Sequence, residues 1–115
     1  MRKKILIGLN GQDEQSIYDV ISEQGNYEKV VFSDEEINLL FSIEYFDLLN
    51  NKYGLSIDLY EEQVVCESKI VSGILNDTRK LMEENKYNEI AGVLFKIEKI
   101  LVLSLHINAC VYFVL

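Results

Sequence analysis

Apolar residues recur along this chain in two periods, which predict a mixture of strands and helices. Residues 3–9 form a short run rich in Ile and Leu, typical of a buried strand. Residues 30–32 and 110–114 are β-branched and aromatic, which predicts a second strand and a closing strand. Helical spacing over about 13–24, followed by Gly25, predicts a helix between the first two strands.

Residues 32–54 carry the strongest local signals. Ser33 and Glu36 have the spacing of a capping box, and Phe32 and Ile37 have that of a hydrophobic staple. The acidic first turn of this segment complements the helix dipole. We therefore predict one helix from 34 to about 53, which ends at Gly54.

This predicted helix is apolar on nearly all sides, so two interpretations stay open. It either lies at the centre of the core or presents a second apolar face to a partner. Glu44 falls inside one apolar stripe, where a buried carboxylate would need a partner or a raised pKa. The two stripes consist of Ile37, Leu40, Phe41, Tyr45 and Leu48, and of Leu39, Ile43 and Phe46.

The rest of the chain predicts a loop or short extended segment over 55–62, an amphipathic helix over about 63–85, and a helix from Asn88 to about 106. The order β-α-β-α-α-α-β indicates an α/β or helix-rich α+β fold, with a small mixed sheet of about three strands covered by about four helices. If the first two strands pair directly, we expect them to be parallel. Residues 1–115 should form a single domain.

Composition supports a folded chain with an uneven charge. Hydrophobic residues make up 49% of the sequence, proline is absent, and the formal net charge is −8. Residues 5–67 hold 14 acids against Lys29 and Lys52, whereas residues 68–115 are nearly balanced. A concentrated negative field attracts basic proteins and argues against binding to a phosphate backbone. The alternative is an acidic surface that serves solubility alone.

Neither end of the sequence predicts membrane insertion. The first apolar run stops at Leu9, and the uncharged stretch 100–115 is shorter than the roughly 20 residues needed to cross a bilayer. Cys66 and Cys110 belong to no CxxC pair. Without a signal peptide, they predict reduced thiols and a cytoplasmic location.

We find no pattern that predicts catalysis, so we expect no catalytic residue, cofactor or metal. The single histidine, His106, lies in a strongly apolar stretch, where a core or helix-end role is expected. The acidic runs lack calcium-loop spacing, and Gly8 and Gly11 match no nucleotide-binding pattern. A small enzyme that uses Glu44 or His106 is the less favoured alternative.

In size, acidity and absence of a catalytic motif, the chain resembles the small acidic immunity proteins of bacterial polymorphic-toxin and contact-dependent growth-inhibition systems. The resemblance implies an antitoxin that binds a basic toxin C-terminal domain, such as a nuclease, and occludes its active site. The alternative is an acidic regulatory or nucleic-acid-mimicking subunit that docks on a basic protein.

If the resemblance holds, acids orient the partner and aromatic side chains anchor it. The contact acids would be Asp34, Glu35, Glu36, Asp47, Asp58, Glu61 and Glu62, and the anchors would be Tyr45, Phe46, Tyr53 or Tyr60.

Overall fold

The computed structural model describes residues 3–8 and 27–115. Four strands form one antiparallel sheet in the order β2-β1-β4-β3, with β1 Lys3–Gly8, β2 Tyr27–Phe32, β3 Glu62–Val65 and β4 Val111–Val114. Four described helices accompany it: α1 Asp34–Ser42, α2 Tyr45–Tyr53, α3 Ser68–Glu84 and α4 Ile90–Ile107. The mixed α+β class is therefore confirmed. The helix predicted over 13–24 lies outside the described residues.

The main core lies between one face of the sheet and the helices. Ile5 pairs with Phe113 and Ile7 with Val111 across the β1–β4 ladder, and directly opposite residues share a face of the sheet. All four of these side chains are buried and belong to the core cluster. The buried stripe of α4, which includes Ile97, belongs to the same cluster.

The first two strands pair directly, but the expected parallel orientation is wrong. Lys3 lies opposite Phe32 and Gly8 lies opposite Tyr27, so β1 and β2 run in opposite directions. Gly8, at the end of β1, and Tyr27, at the start of β2, therefore lie at the same end of the sheet. A parallel pair would need a connection that returns the chain to the opposite end.

Strand β3 was not predicted, and the helix expected from about residue 63 begins later, at Ser68. Val65 lies opposite Val111 and Gln63 lies opposite Phe113. Val65 packs into the core, whereas Glu62 is exposed. The pairing with β4 overrides the local helical pattern, because β-branched residues suit a pleated surface that is half buried.

The single helix predicted over 34–53 is instead two helices with a break at Ile43 and Glu44. Glu44 adopts a left-handed conformation, with φ of 56°, and its side chain is exposed. An unbroken helix would have placed this carboxylate in the apolar stripe. The break turns it to solvent and lets Leu40 of α1 and Tyr45 of α2 both enter the core.

Helices α3 and α4 form an antiparallel hairpin, and α4 ends where the chain turns into β4. Asn108 takes the left-handed conformation at the end of α4, which is common for asparagine at helix ends. The buried Ser104 hydroxyl donates to the carbonyl of Ala109 (2.8 Å). Among the described residues, no helix is both long and apolar enough to cross a membrane.

Polar contacts hold α2 against α3. The Tyr53 hydroxyl donates to Asp77 Oδ2 (2.5 Å), and Lys52 Nζ donates to Asp77 Oδ1 (2.8 Å). The Tyr53 ring lies so close to Gly73 that a Cβ at position 73 would come within 2.6 Å of the hydroxyl oxygen. Burial and the neighbouring Asp77 raise the pKa of Tyr53 to about 12.

The contact between α2 and α3 continues into the core, where the hydroxyl groups of Tyr45 and Thr78 are both hydrogen-bonded. The Thr78 hydroxyl donates to the Ile74 carbonyl (2.7 Å), so the Tyr45 hydroxyl must donate to Thr78 Oγ1 (2.9 Å). Burial is the main cause that raises the pKa of Tyr45. Tyr45 is therefore a core residue that binds α2 to α3.

Cys66 and Cys110 form a disulfide, so the prediction of two reduced thiols is wrong in this structure. The cysteines extend the β3–β4 ladder by one position beyond the Val65–Val111 pair, and their Cα atoms lie 4.2 Å apart. Sequence spacing could not reveal this, because the ladder that brings them together contains the unpredicted strand β3. The bond ties the edge strand to its neighbour.

We expect loss of the disulfide to lower the free energy of unfolding by about 2–4 kcal/mol, because it closes a long loop in the unfolded chain. Its two cysteines are 44 positions apart. The measurement is urea denaturation with and without reductant. A Cys66→Ser, Cys110→Ala double variant serves as the control and should not respond to reductant. Equal stability of the oxidised and fully reduced wild type would contradict the expectation.

We expect Asp77→Asn to destabilise the fold at neutral pH by on the order of 1 kcal/mol. Burial acts to raise the pKa of Asp77, but hydrogen bonds from Lys52 and Tyr53 outweigh it and hold that pKa below its usual value. A carboxylate with a lowered folded-state pKa stabilises the fold above its unfolded pKa of about 4. This stabilisation disappears as the pH falls through the folded pKa.

The gap in unfolding free energy between wild type and Asp77→Asn should therefore shrink between about pH 5 and about pH 2. Urea denaturation across that range measures it. Asp47→Asn, at an exposed carboxylate outside the Lys52–Tyr53–Asp77 contact, serves as the control, and the change in its gap over the same pH range should be smaller. A constant gap for Asp77→Asn would refute the role of its charge.

Candidate interaction surface

The start of α1 presents acidic side chains on a well-capped helix. Ser33 Oγ accepts from the Glu36 amide (3.1 Å), and Glu36 Oε1 accepts from the Ser33 amide (3.0 Å), so the predicted capping box is confirmed. The other Glu36 oxygen binds Lys96 Nζ at 2.7 Å. This arrangement leaves Asp34 and Glu35 directed to solvent.

Glu36 itself is committed to the fold. Burial acts to raise the pKa of its carboxyl group, but the bonds from Lys96 and Ser33 outweigh burial and lower that pKa. A carboxylate that caps a helix and pairs with another helix has little left to offer a partner. Its assignment as a contact residue is therefore not favoured by the geometry.

The loop after α2 is held in place from inside. The Asn50 side chain bonds both backbone groups of Ile57, accepting from its amide (2.8 Å) and donating to its carbonyl (2.9 Å). Ile57 is buried in the core. Asp58 Oδ1 then accepts from the Leu59 amide (2.8 Å), which starts the turn that exposes the next residues.

Tyr60 is displayed at the tip of that turn. Its side chain is 92% exposed, and its φ of 62° lies in the left-handed region, which is unfavourable for a residue with a Cβ. The Tyr60 amide donates to the Leu115 carbonyl (3.0 Å), and the Leu115 amide donates to the Glu61 carbonyl (3.2 Å). A large aromatic ring is thus held out into solvent on a fixed backbone.

The structure brings the two acidic runs together around Lys3. A groove of about 320 Å³ contains Lys3, Asp34 and Leu59 in its lining, and a cavity of about 180 Å³ contains Lys3, Tyr60 and Glu61. Lys3 Nζ pairs with Asp34 Oδ1 at 3.2 Å. We call Asp34, Tyr60, Glu61 and Glu62, together with Lys3, the acidic rim.

Chemically, the acidic rim is suited to binding a protein. Three acidic residues and one lysine line the two concavities, and that lysine already pairs with Asp34, so the described charged residues of the linings have a net formal charge of −2. Carboxylates of this kind orient a basic partner, while an exposed aromatic side chain supplies contact area. Two further acids beside these residues in sequence are also exposed. Glu35 follows Asp34, and Asp58 precedes the turn that carries Tyr60.

Two of the predicted aromatic anchors are corrected by the structure. Tyr45 is 0% exposed and Phe46 is 2% exposed, and their rings pack edge to face within the core. A partner cannot reach either ring. The break at Glu44 explains the error, since it rotates both rings inward.

The remaining predicted residues lie outside the acidic rim. Tyr53 is partly buried and bonded to Asp77, and Asp47 is exposed on the first turn of α2. Neither contributes to the lining of the two concavities beside Lys3. The carboxylates of the first half are therefore gathered in part, with Asp34, Glu61 and Glu62 together and Asp47 apart.

Neither residue named by the enzyme alternative is buried. Glu44 is exposed at the helix break, and His106 is exposed in the last turn of α4. His106 is thus a helix-end histidine rather than a core one. Within residues 3–8 and 27–115, no three His, Cys, Asp or Glu side chains are grouped so as to hold a metal ion.

Lys3 is the residue of this surface that sequence reasoning missed. Arg2, Lys3 and Lys4 are all basic, so charge alone separates this segment from the acidic runs. The signal lies in strand register, because Lys4 is opposite Val114 and Val114 is opposite Glu62. The pairing of three strands thus brings the start of β1 level with Glu61 and Glu62, and Lys3 lines the same cavity as both.

We expect Tyr60→Gly to raise the free energy of unfolding by up to about 1 kcal/mol, because glycine adopts positive φ without steric strain. Tyr60→Ala should not give this gain, since alanine keeps a Cβ. Urea denaturation of the two variants and the wild type makes the comparison. A Tyr60→Gly variant no more stable than Tyr60→Ala would show that the turn stores no such strain.

Comparison with known proteins adds no relative. No family model, no curated protein and no solved structure matches the chain.

Proposed function

We propose that this protein is an immunity protein that neutralises a basic toxin domain, such as a nuclease, by covering its active site. The proposal rests chiefly on the acidic rim, in which Glu61 and Glu62 line a cavity with an exposed tyrosine on a fixed turn, and Asp34 lines the adjoining groove that shares Lys3. Such a surface combines electrostatic attraction with an aromatic anchor, the pairing expected where a few residues dominate binding.

The physical basis of inhibition would be complementary charge. A nuclease domain collects positive charge where it holds the phosphate backbone, and the acidic rim offers that region competing carboxylates. Glu61 and Glu62 would pair with its lysines and arginines, while Tyr60 would fill a pocket that the substrate otherwise occupies. Occlusion of this kind needs no catalytic group on the inhibitor.

The proposal places the protein in the cytoplasm, where an internalised toxin would act. The Cys66–Cys110 bond opposes this location, since disulfides persist mainly in oxidising compartments. Alkylation of thiols in intact cells separates the two cases. Two alkylated cysteines in the native cell would support the cytoplasm, and a fully disulfide-bonded pool would contradict it.

The test is co-expression with the toxin domain encoded immediately upstream, together with a binding measurement on the purified pair. Wild-type protein should protect the cells and form a stable complex. We expect Tyr60→Ala to weaken binding roughly thirtyfold, as for an interface hot spot. The Glu61→Lys, Glu62→Lys double variant should slow association roughly tenfold at low salt.

Matched controls are available on the same chain. Tyr87→Ala removes a tyrosine that is 93% exposed but lies in the α3–α4 turn, so it should leave affinity unchanged. Asp47→Lys places a charge reversal outside the acidic rim. No protection and no complex would refute the proposal, and equal losses for Tyr60→Ala and Tyr87→Ala would refute the assigned surface.

A further inference from the structure

A groove of about 310 Å³ runs between strand β2 and helix α4. Its apolar floor includes Val30 from β2, and Ile100 and Leu103 from α4. Phe95 stands at its side, with 49% of its surface exposed. None of the residues that line this groove lines the acidic rim.

Strand β2 forms one edge of the sheet. In the described part of the chain it pairs with β1 alone, so one row of its backbone N–H and C=O groups faces away from the sheet. Lys96 Nζ approaches the Val31 carbonyl from α4, at 3.4 Å. A strand edge beside an apolar groove is the geometry in which extended peptides add to a sheet.

Helix α4 brings two lysine side chains to this groove. Among the described residues, Lys96 and Lys99 of α4 line it beside one acid, Glu28. Lys29 also borders it, but the register with Leu6 places its side chain on the other face of the sheet from Val30. Lys96 already pairs with Glu36. Lys99 lies over the Phe95 ring, 5.5 Å from its centroid, and makes no ion pair among the described residues.

We propose that this groove binds an extended acidic segment of another protein, which adds to β2 as a further strand. Alternate side chains of an added strand point to the same side. One apolar side chain would enter the floor formed by Val30, Ile100 and Leu103. A carboxylate two positions away would reach Lys99 at the groove's side, so the recognised pattern is an apolar residue and an acid separated by one residue.

A second copy of this chain is a poorer occupant than an acidic segment. A two-fold pairing of β2 edges would bring the two α4 helices to the same side of the joined sheet. Each helix would then present its Lys96 and Lys99 towards those of its partner. Like charges in such a contact oppose association.

The experiment titrates blocked synthetic heptapeptides into isotope-labelled full-length protein and follows backbone amide signals by NMR. The first peptide, Thr-Val-Thr-Glu-Thr-Val-Thr, places its valines and its glutamate on one side of a strand. The second, Thr-Val-Thr-Thr-Glu-Val-Thr, has the same composition but turns the acid to the other side. The first should shift the signals of residues 28–31 and bind several-fold more tightly than the second.

Two further comparisons test backbone pairing and charge. In an added strand, every second peptide N–H faces β2 and the others face away from it. N-methylation of the first set should abolish binding, whereas N-methylation of the second set should leave it intact. Lys99→Glu should weaken binding of the first peptide roughly tenfold. Phe95→Ala should weaken it roughly fivefold, with Lys80→Glu and Val102→Ala as exposed controls that leave it unchanged.

The inference fails on any of four outcomes. They are no amide shift at millimolar peptide, equal binding of the two isomers, equal effects of the two methylation phases, and shifts confined to the acidic rim. The signals of residues 28–31 could also shift when the protein concentration is raised without peptide. That result would assign the groove to self-association and would overturn the proposed binding of an acidic segment. The proposed immunity function has its own readout in toxin protection, so either proposal can fail alone.

Discussion

Insertion of β4 between β1 and β3 is the constraint on which the rest of the fold depends. All four residues of β4 are buried, so the sheet is covered on both faces at this strand. The last strand in the chain thus completes a sheet whose first strand is the first element of the structure. Such contacts between distant parts of the sequence close large loops, and the apolar burial of Val111 and Phe113 must offset their entropy.

The features that depend on neighbours in sequence could be predicted. The capping box at Ser33 and Glu36 needs only three residues of spacing, and the stop at Gly54 needs only a left-handed position, with φ of 66°. The buried stripe of α4 follows from helical periodicity. These elements agree with the structure because local hydrogen bonds and one-sided burial decide them.

The features that depend on strand pairing could not be predicted in the same way. Strand β3, the antiparallel direction of β2 and the disulfide all follow from which strands meet. The helix break at Glu44 likewise depends on tertiary contacts, because it allows α1 and α2 to pack on the same core. For the candidate surface, charge predicted Asp34, Glu61 and Glu62, but only the fold separates the exposed Tyr60 from the buried Tyr45.

The bonds between Leu115 and the 60–61 turn have a practical consequence for anyone handling this protein. Lys3 and Leu115 line the same cavity as Tyr60, so both described ends of the chain emerge beside that ring. A reporter attached at Leu115 would therefore lie close to the tyrosine ring. A label attached within the α3–α4 turn, near Tyr87, would leave that side of the molecule open.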